Sequence, residues 1–183
     1  MKKLIKVLLA TVLMTNTVVA AEVGFYAGGG LAFEAVPKND DNFGDWEMGI
    51  AVVLRAGMTL DSVLEGFAAE VEFTKSVLDP KRNFEGNLDA EKVNVTTLAT
   101  YAVYRIPITE KIYVKPRFGI VFPNLGGEQY EGSSRGVVNS RDITFSSGIG
   151  GGFTVMKQLD VYVDYTVIGE SITNYGAGVE YHF

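Results

Sequence analysis

From residue 23 to the C-terminus the side chains alternate: apolar positions and small or polar positions succeed one another with a period of two, in runs separated by turn residues. A strand sends successive side chains to opposite faces, so this period predicts strands with one apolar face and one polar face. Residues 23–33 set Phe25, Ala27, Gly29, Leu31 and Phe33 against Tyr26, Gly28, Gly30 and Ala32. Residues 48–58 set Ile50, Val52, Leu54, Ala56 and Met58 against Ala51, Val53, Arg55 and Gly57. The third run is the clearest, with Phe67, Ala69, Val71 and Phe73 alternating with Ala68, Glu70, Glu72 and Thr74.

Residues 92–106 are apolar on both sides; the reading places Leu98, Thr100, Ala102, Tyr104 and Ile106 on the apolar face and Tyr101 and Arg105 opposite. The fifth run sets Val114, Pro116, Phe118, Ile120 and Phe122 against Tyr113, Lys115, Arg117, Gly119 and Val121. Pro116 has no N–H to give a ladder, so a bulge or local twist is expected there. Residues 143–155, 159–168 and 173–183 complete eight predicted strands.

The connections carry a second pattern. Residues 34–47, 76–91 and 123–142 form long polar loops, the last expected to be mobile, while 59–64, 107–111 and 156–158 are short turns. Short turns on one side and long loops on the other are what bacterial outer-membrane barrels have, with the short side periplasmic. The face chemistry agrees. Arg55, Glu70, Glu72, Arg105, Lys115, Arg117, Asp160, Asp164 and Glu180 all fall on the face rich in glycine and hydroxyls, opposite the apolar one. A soluble barrel would put its apolar face inside; here that face suits lipid, and the charges belong to a lumen. Lipid satisfies no backbone polar group, so the strands must close into a ring without edges. The expected fold is all-β, an eight-stranded antiparallel up-and-down transmembrane barrel, with aromatic girdles of Tyr104, Tyr181 and Phe183 at the short-turn end and Phe33, Phe73 and Phe122 at the loop end.

Composition adjusts this picture at three points. Lys2, Lys3 and Lys6 precede a mostly apolar stretch, and Val18, Val19, Ala20 and Ala21 follow. This is the layout of a secretory signal peptide, expected over residues 1–20 with cleavage after Ala20 or Ala21, leaving 21–183 as the barrel domain. Without those lysines, 13 Lys and Arg face 22 Asp and Glu, an acidic balance that disfavours nucleic acid as a partner. The absence of cysteine excludes disulfides and thiolate chemistry.

The closing strand carries a resemblance. Tyr175, Ala177, Val179, Tyr181 and Phe183 alternate with Asn174, Gly176, Gly178, Glu180 and His182 and end on an aromatic residue. This is similar to the terminal strand of Gram-negative outer-membrane barrels, where such a pattern is the insertion and assembly signal. With it go residues 101–105 (YAVYR) and 113–119 (YVKPRFG), flanking a short turn. From residue 23 to 183 the chain resembles the small eight-stranded outer-membrane barrels, the OmpA transmembrane domain and the opacity-protein-like (porin) group, but without a peptidoglycan-binding domain after strand eight. The resemblance implies an outer-membrane location in a Gram-negative bacterium, contact with outer-membrane lipid and lipopolysaccharide, handling by periplasmic chaperones and the barrel-assembly machinery, and loops open to an extracellular ligand. The assembly signal falls on Tyr175, Val179, Tyr181 and Phe183.

The candidate site is the inward charge network of Arg55, Glu70, Glu72, Lys115, Arg117, Asp164 and Glu180. An eight-stranded barrel is just wide enough to be filled by side chains, so these charges are expected to pair and plug the lumen. The alternative is a narrow path for small ions. No catalytic set, cofactor or metal is expected. His182 is the only histidine and sits on the periplasmic rim, without a Ser or Asp partner on the loop side. A membrane hydrolase would have to use it. Glycines 148, 150, 151 and 152 lie within a strand, so they leave room in the lumen and do not cradle phosphate. Residues 39–42 (NDDN) are read as a solvated acidic loop with weak potential to hold a divalent cation.

Overall fold

The computed structural model describes residues 23–35, 46–82, 91–131, 134–140, 142–169 and 172–183. The expected signal segment and the acidic run at 39–42 lie outside them. None of the described residues is helical. Eight long strands form the wall: β1 (Phe25–Ala35), β2 (Gly49–Thr59), β3 (Phe67–Leu78), β4 (Glu91–Tyr104), β5 (Ile112–Glu131), β6 (Thr144–Met156), β7 (Leu159–Ile168) and β8 (Ile172–His182). Each pairs antiparallel with its neighbours in sequence. β1 also pairs with β8 from Tyr26↔His182 to Ala35↔Thr173, which closes the ring. The backbone of Phe183 donates to Phe25 and that of His182 to Gln158, so the chain end is tied to the strands on both sides.

The alternation sorts as the sequence predicts. In β2, Ala51, Val53 and Arg55 are buried while Val52, Leu54 and Ala56 lie on the exterior. The ambiguous fourth strand puts Ala99, Tyr101 and Val103 inside and Leu98, Thr100, Ala102 and Tyr104 outside. A charge on the exterior would cost roughly 2–4 kcal/mol at the bilayer midplane, and a one-residue slip would move every inward charge there. Register is therefore strongly specified.

Three expectations need correction. Residues 123–142 are not one long loop: β5 runs on to Glu131 and pairs with a further strand, Ser134–Ser140. Pro116 causes neither bulge nor shift. The β4–β5 pairing lapses after Val103↔Arg117 and resumes at Ile106↔Val114 in the same register, while Pro116 stays paired with Ile149 of β6. Irregularities fall elsewhere, between Ile50 and Ala51 and between Thr154 and Met156. Strand boundaries also move: Glu34 and Ser76, expected in loops, are the last buried inward positions of β1 and β3 toward the loop end.

Beyond the ring the wall rises on one side. Trp46–Glu47 pairs with Lys81–Arg82, which pairs with the start of β4, and β4 follows β5 outward as far as Lys92↔Glu128. The opposite rim is held by tight turns. Gly66, at φ 80°, takes a left-handed turn that a side chain would strain. There its N–H donates to Asp61 Oδ1 and its carbonyl accepts from Arg105 N.

Candidate functional site

In the lumen, several large inward side chains of one strand stand across the ladder from glycines of its neighbour. Arg55 on β2 stands opposite Glu72 on β3 and, on its other side, opposite Gly28 of β1, which in turn pairs with Glu180 of β8. Because Gly28 has no side chain, the guanidinium can reach across it. Arg55 Nη2 lies 2.9 Å from Glu72 and 2.7 Å from Asp164, and Nη1 lies 3.3 Å from Glu180. Arg117 repeats the device over Gly148: its Nε donates to Thr166 on the far side, and Nη1 meets Glu72 at 2.6 Å and Glu70 at 3.3 Å. Lys115 Nζ sits between Glu70 at 3.2 Å and Glu180 at 2.5 Å.

All seven residues of the predicted network are thus brought into one connected cluster, and every cation touches at least two carboxylates. Such sharing is how a charge set can be buried: each ion needs its lost hydration replaced by partners of good geometry. The surrounding rings add to it. Arg55 packs over Tyr162, with its Cζ 4.1 Å from the ring centre, and Arg117 over Tyr101 at 4.5 Å. The Tyr26 hydroxyl donates to Glu70 at 2.9 Å.

Four inward tyrosines lie directly across the ladder from glycine: Tyr26 from Gly57, Tyr101 from Gly119, Tyr113 from Gly152, and Tyr162 from Gly178. A Cβ on Gly57 or Gly152 would stand 2.2 Å from the facing ring. The glycines therefore seat the rings, and the rings fill what the glycines leave open, a pairing known to rescue glycine in sheets. Sequence reasoning put Tyr26, Tyr101 and Tyr113 inside without seeing this, because the pairing exists only once register is known.

A second, lower cluster sits toward the short-turn rim. Arg105 donates to Asp160 at 2.8 Å and to Thr154 at 3.2 Å, and its guanidinium lies 3.7 Å from the centre of the Tyr113 ring. His182 Nε2 is 3.1 Å from Asp160 Oδ2, and its ring packs against Tyr26. Asp160 is the partner that the sequence reading, looking on the loop side, did not assign to His182. At the other end Glu34 is buried and accepts from Ser76, whose hydroxyl in turn accepts from Val95 N. Tyr175, Val179, Tyr181 and Phe183, the residues expected to form an assembly signal, all face outward. Tyr175 packs against Tyr165, and Tyr181 meets Phe183 edge-on.

Known structures share this architecture. Neisserial surface protein A (NspA) aligns at 16% identity and TM-score 0.60, covering 89% of this chain and 100% of its own. Ail, the attachment invasion locus protein of Yersinia pestis, crystallised with the heparin analogue sucrose octasulfate, aligns at 13% identity and TM-score 0.58 with the same coverage, 89% and 100%. The N-terminal β-barrel domain of Pseudomonas aeruginosa OprF aligns at 10% identity and TM-score 0.55, covering 87% of this chain and 99% of that one. At such identities the likeness is one of fold. No curated protein sequence matches. The outer membrane protein beta-barrel domain matches residues 5–183, nearly the whole chain, with its closed ring, lipid-compatible exterior and charged interior, and the chain belongs to that family.

Proposed function

We propose that this protein is a non-catalytic resident of a Gram-negative outer membrane, with its lumen plugged by its own side chains, that contributes to envelope structure and meets outside partners through its loop end. The observation that carries the reading is the filled lumen: Arg55, Lys115 and Arg117 are interlocked with Glu70, Glu72, Asp164 and Glu180, all of them flanked by tyrosines seated on glycines. The interior of a barrel of eight strands is just wide enough for side chains to fill, which supports a plug over an aqueous path. The exterior suits lipid and lipopolysaccharide as neighbours, and the outward terminal strand suits recognition by chaperones and the barrel-assembly machinery. Planar-bilayer recording of barrel whose folding is verified by heat-modifiable gel migration tests the plug. Silence is expected; unitary conductance steps from the folded protein would overturn it.

A second reading is a narrow ion path gated by partner exchange. It draws on the shared ligands: Glu180 Oε1 serves both Lys115 and Arg55, and Arg117 bridges Glu70 and Glu72. Conductance that rises when Arg117 is replaced by a shorter side chain, from a measurable wild-type level, would favour it.

A further inference from the structure

We infer that the short-turn mouth of the barrel holds a site for a divalent transition-metal ion, formed by Asp160, Glu180 and His182. One donor atom from each of these side chains lies within 4.8 Å of the others. Asp160 on β7 and Glu180 on β8 are direct partners across the ladder, and His182 follows Glu180 on the same inward face. The backbone of two paired strands therefore fixes the three ligands, a more rigid mount than a loop. The 3.1 Å separation of His182 Nε2 and Asp160 Oδ2 is close to the edge of a tetrahedron with metal–ligand bonds of about 2.0–2.1 Å. One imidazole with two carboxylates selects a borderline ion such as Zn²⁺ over Mg²⁺ or Ca²⁺, which take all-oxygen shells.

Three further observations point to a ligand. The Tyr113 side chain is buried, at 2% exposure, and its hydroxyl, which lies under the charges of Glu180 and Asp160, makes no well-formed hydrogen bond, Asp160 offering only a long contact. A water on the metal would supply one. Both hydrogen bonds to Glu180 from side chains fall on Oε1, which leaves Oε2 for coordination among the described residues. Charge also favours a cation: across the two lumen clusters the carboxylates of Glu70, Glu72, Asp160, Asp164 and Glu180 outnumber Arg55, Arg105, Lys115 and Arg117 by one. The mouth is open to the aqueous side, since the side chains of His182 and Arg105 are 26% and 34% exposed. Arg105 is the ion's competitor for Asp160, and its exposure lets it swing outward.

The test uses tag-free folded barrel in detergent micelles, titrated with ZnCl₂ by calorimetry and, in a labelled sample, by the imidazole NMR signals, which a single histidine makes unambiguous. One Zn²⁺ per chain is expected, with the imidazole resonances shifting in step and no displacement by excess Mg²⁺. His182→Gln is expected to weaken binding about tenfold or more. Arg105→Gln is expected to tighten it, an outcome that loss of folding cannot mimic. Absence of saturable Zn²⁺ binding by folded wild-type barrel, unmoved imidazole signals on binding, or equal affinity in wild type and Arg105→Gln would each overturn the site.

Discussion

Replacing Arg117 by Met tests whether the lumen is held by paired charge or merely by packing. The guanidinium is buried and meets Glu72 at 2.6 Å, Glu70 at 3.3 Å and Asp164 at 4.0 Å. At an effective dielectric of about 20 the shortest of these contacts is worth roughly 6 kcal/mol before desolvation. Burying the ions takes back several kcal/mol for each, so the attraction is not the net figure. Removing one partner is costly for another reason: among the described residues Glu72 keeps only Arg55, and Glu70 keeps Lys115 and the Tyr26 hydroxyl. A loss of about 3–5 kcal/mol is expected for Arg117→Met, the scale measured when buried pairs are broken. Adding Glu72→Gln removes the stranded charge and should recover a coupling energy of about 1–3 kcal/mol. Guanidinium unfolding in lipid vesicles, followed by circular dichroism and gel migration, measures both. A single variant within about 1 kcal/mol of wild type, or strict additivity in the double variant, would refute the argument.

Leu54, 54% exposed at the middle of β2, faces the bilayer core, so Leu54→Arg should cost about 2–4 kcal/mol in vesicle unfolding, whereas the same change at rim Ile108 should cost about 1 kcal/mol or less. Gly57→Val would drive a side chain into the Tyr26 ring and should lose about 1–3 kcal/mol in the same assay; pairing it with Tyr26→Ala should restore part of the loss. Phe183→Ala removes an outward ring, 75% exposed, whose absence leaves the lumen network untouched. Folded barrel in outer-membrane fractions should fall several-fold, with little change in the denaturant midpoint of the purified protein.

The alternation made the wall legible before any coordinates. Arg55, Glu70 and Arg117 could be assigned inward because lipid makes the opposite assignment prohibitively costly, whereas the fourth strand, apolar on both faces, left its register open in the sequence and is fixed by its pairing with β3 and β5. What stayed hidden depends on register between strands. Nothing local to Tyr113 or Gly152 announces that one seats the other, and nothing near His182 names Asp160, 22 residues away. The extension of β5 was hidden for a related reason. Gly126, Gly127 and Glu128 read as loop because their order comes from pairing with β4 and with Ser134–Ser140, and not from an apolar face. Pro116 misled in the opposite direction: a missing donor need only interrupt a ladder, and the pairing with β6 keeps the strand aligned.

The raised flank of the wall has an energetic meaning. Ordering one residue of a slack segment costs roughly 1–2 kcal/mol, and a partner that grips such a segment must meet that cost at the moment of docking. From Leu125↔Ser140 to Glu131↔Ser134 the chain has met it while folding. A partner landing on that parapet would encounter a contour already set, and discrimination there would rest on complementarity of shape and not on adaptive wrapping.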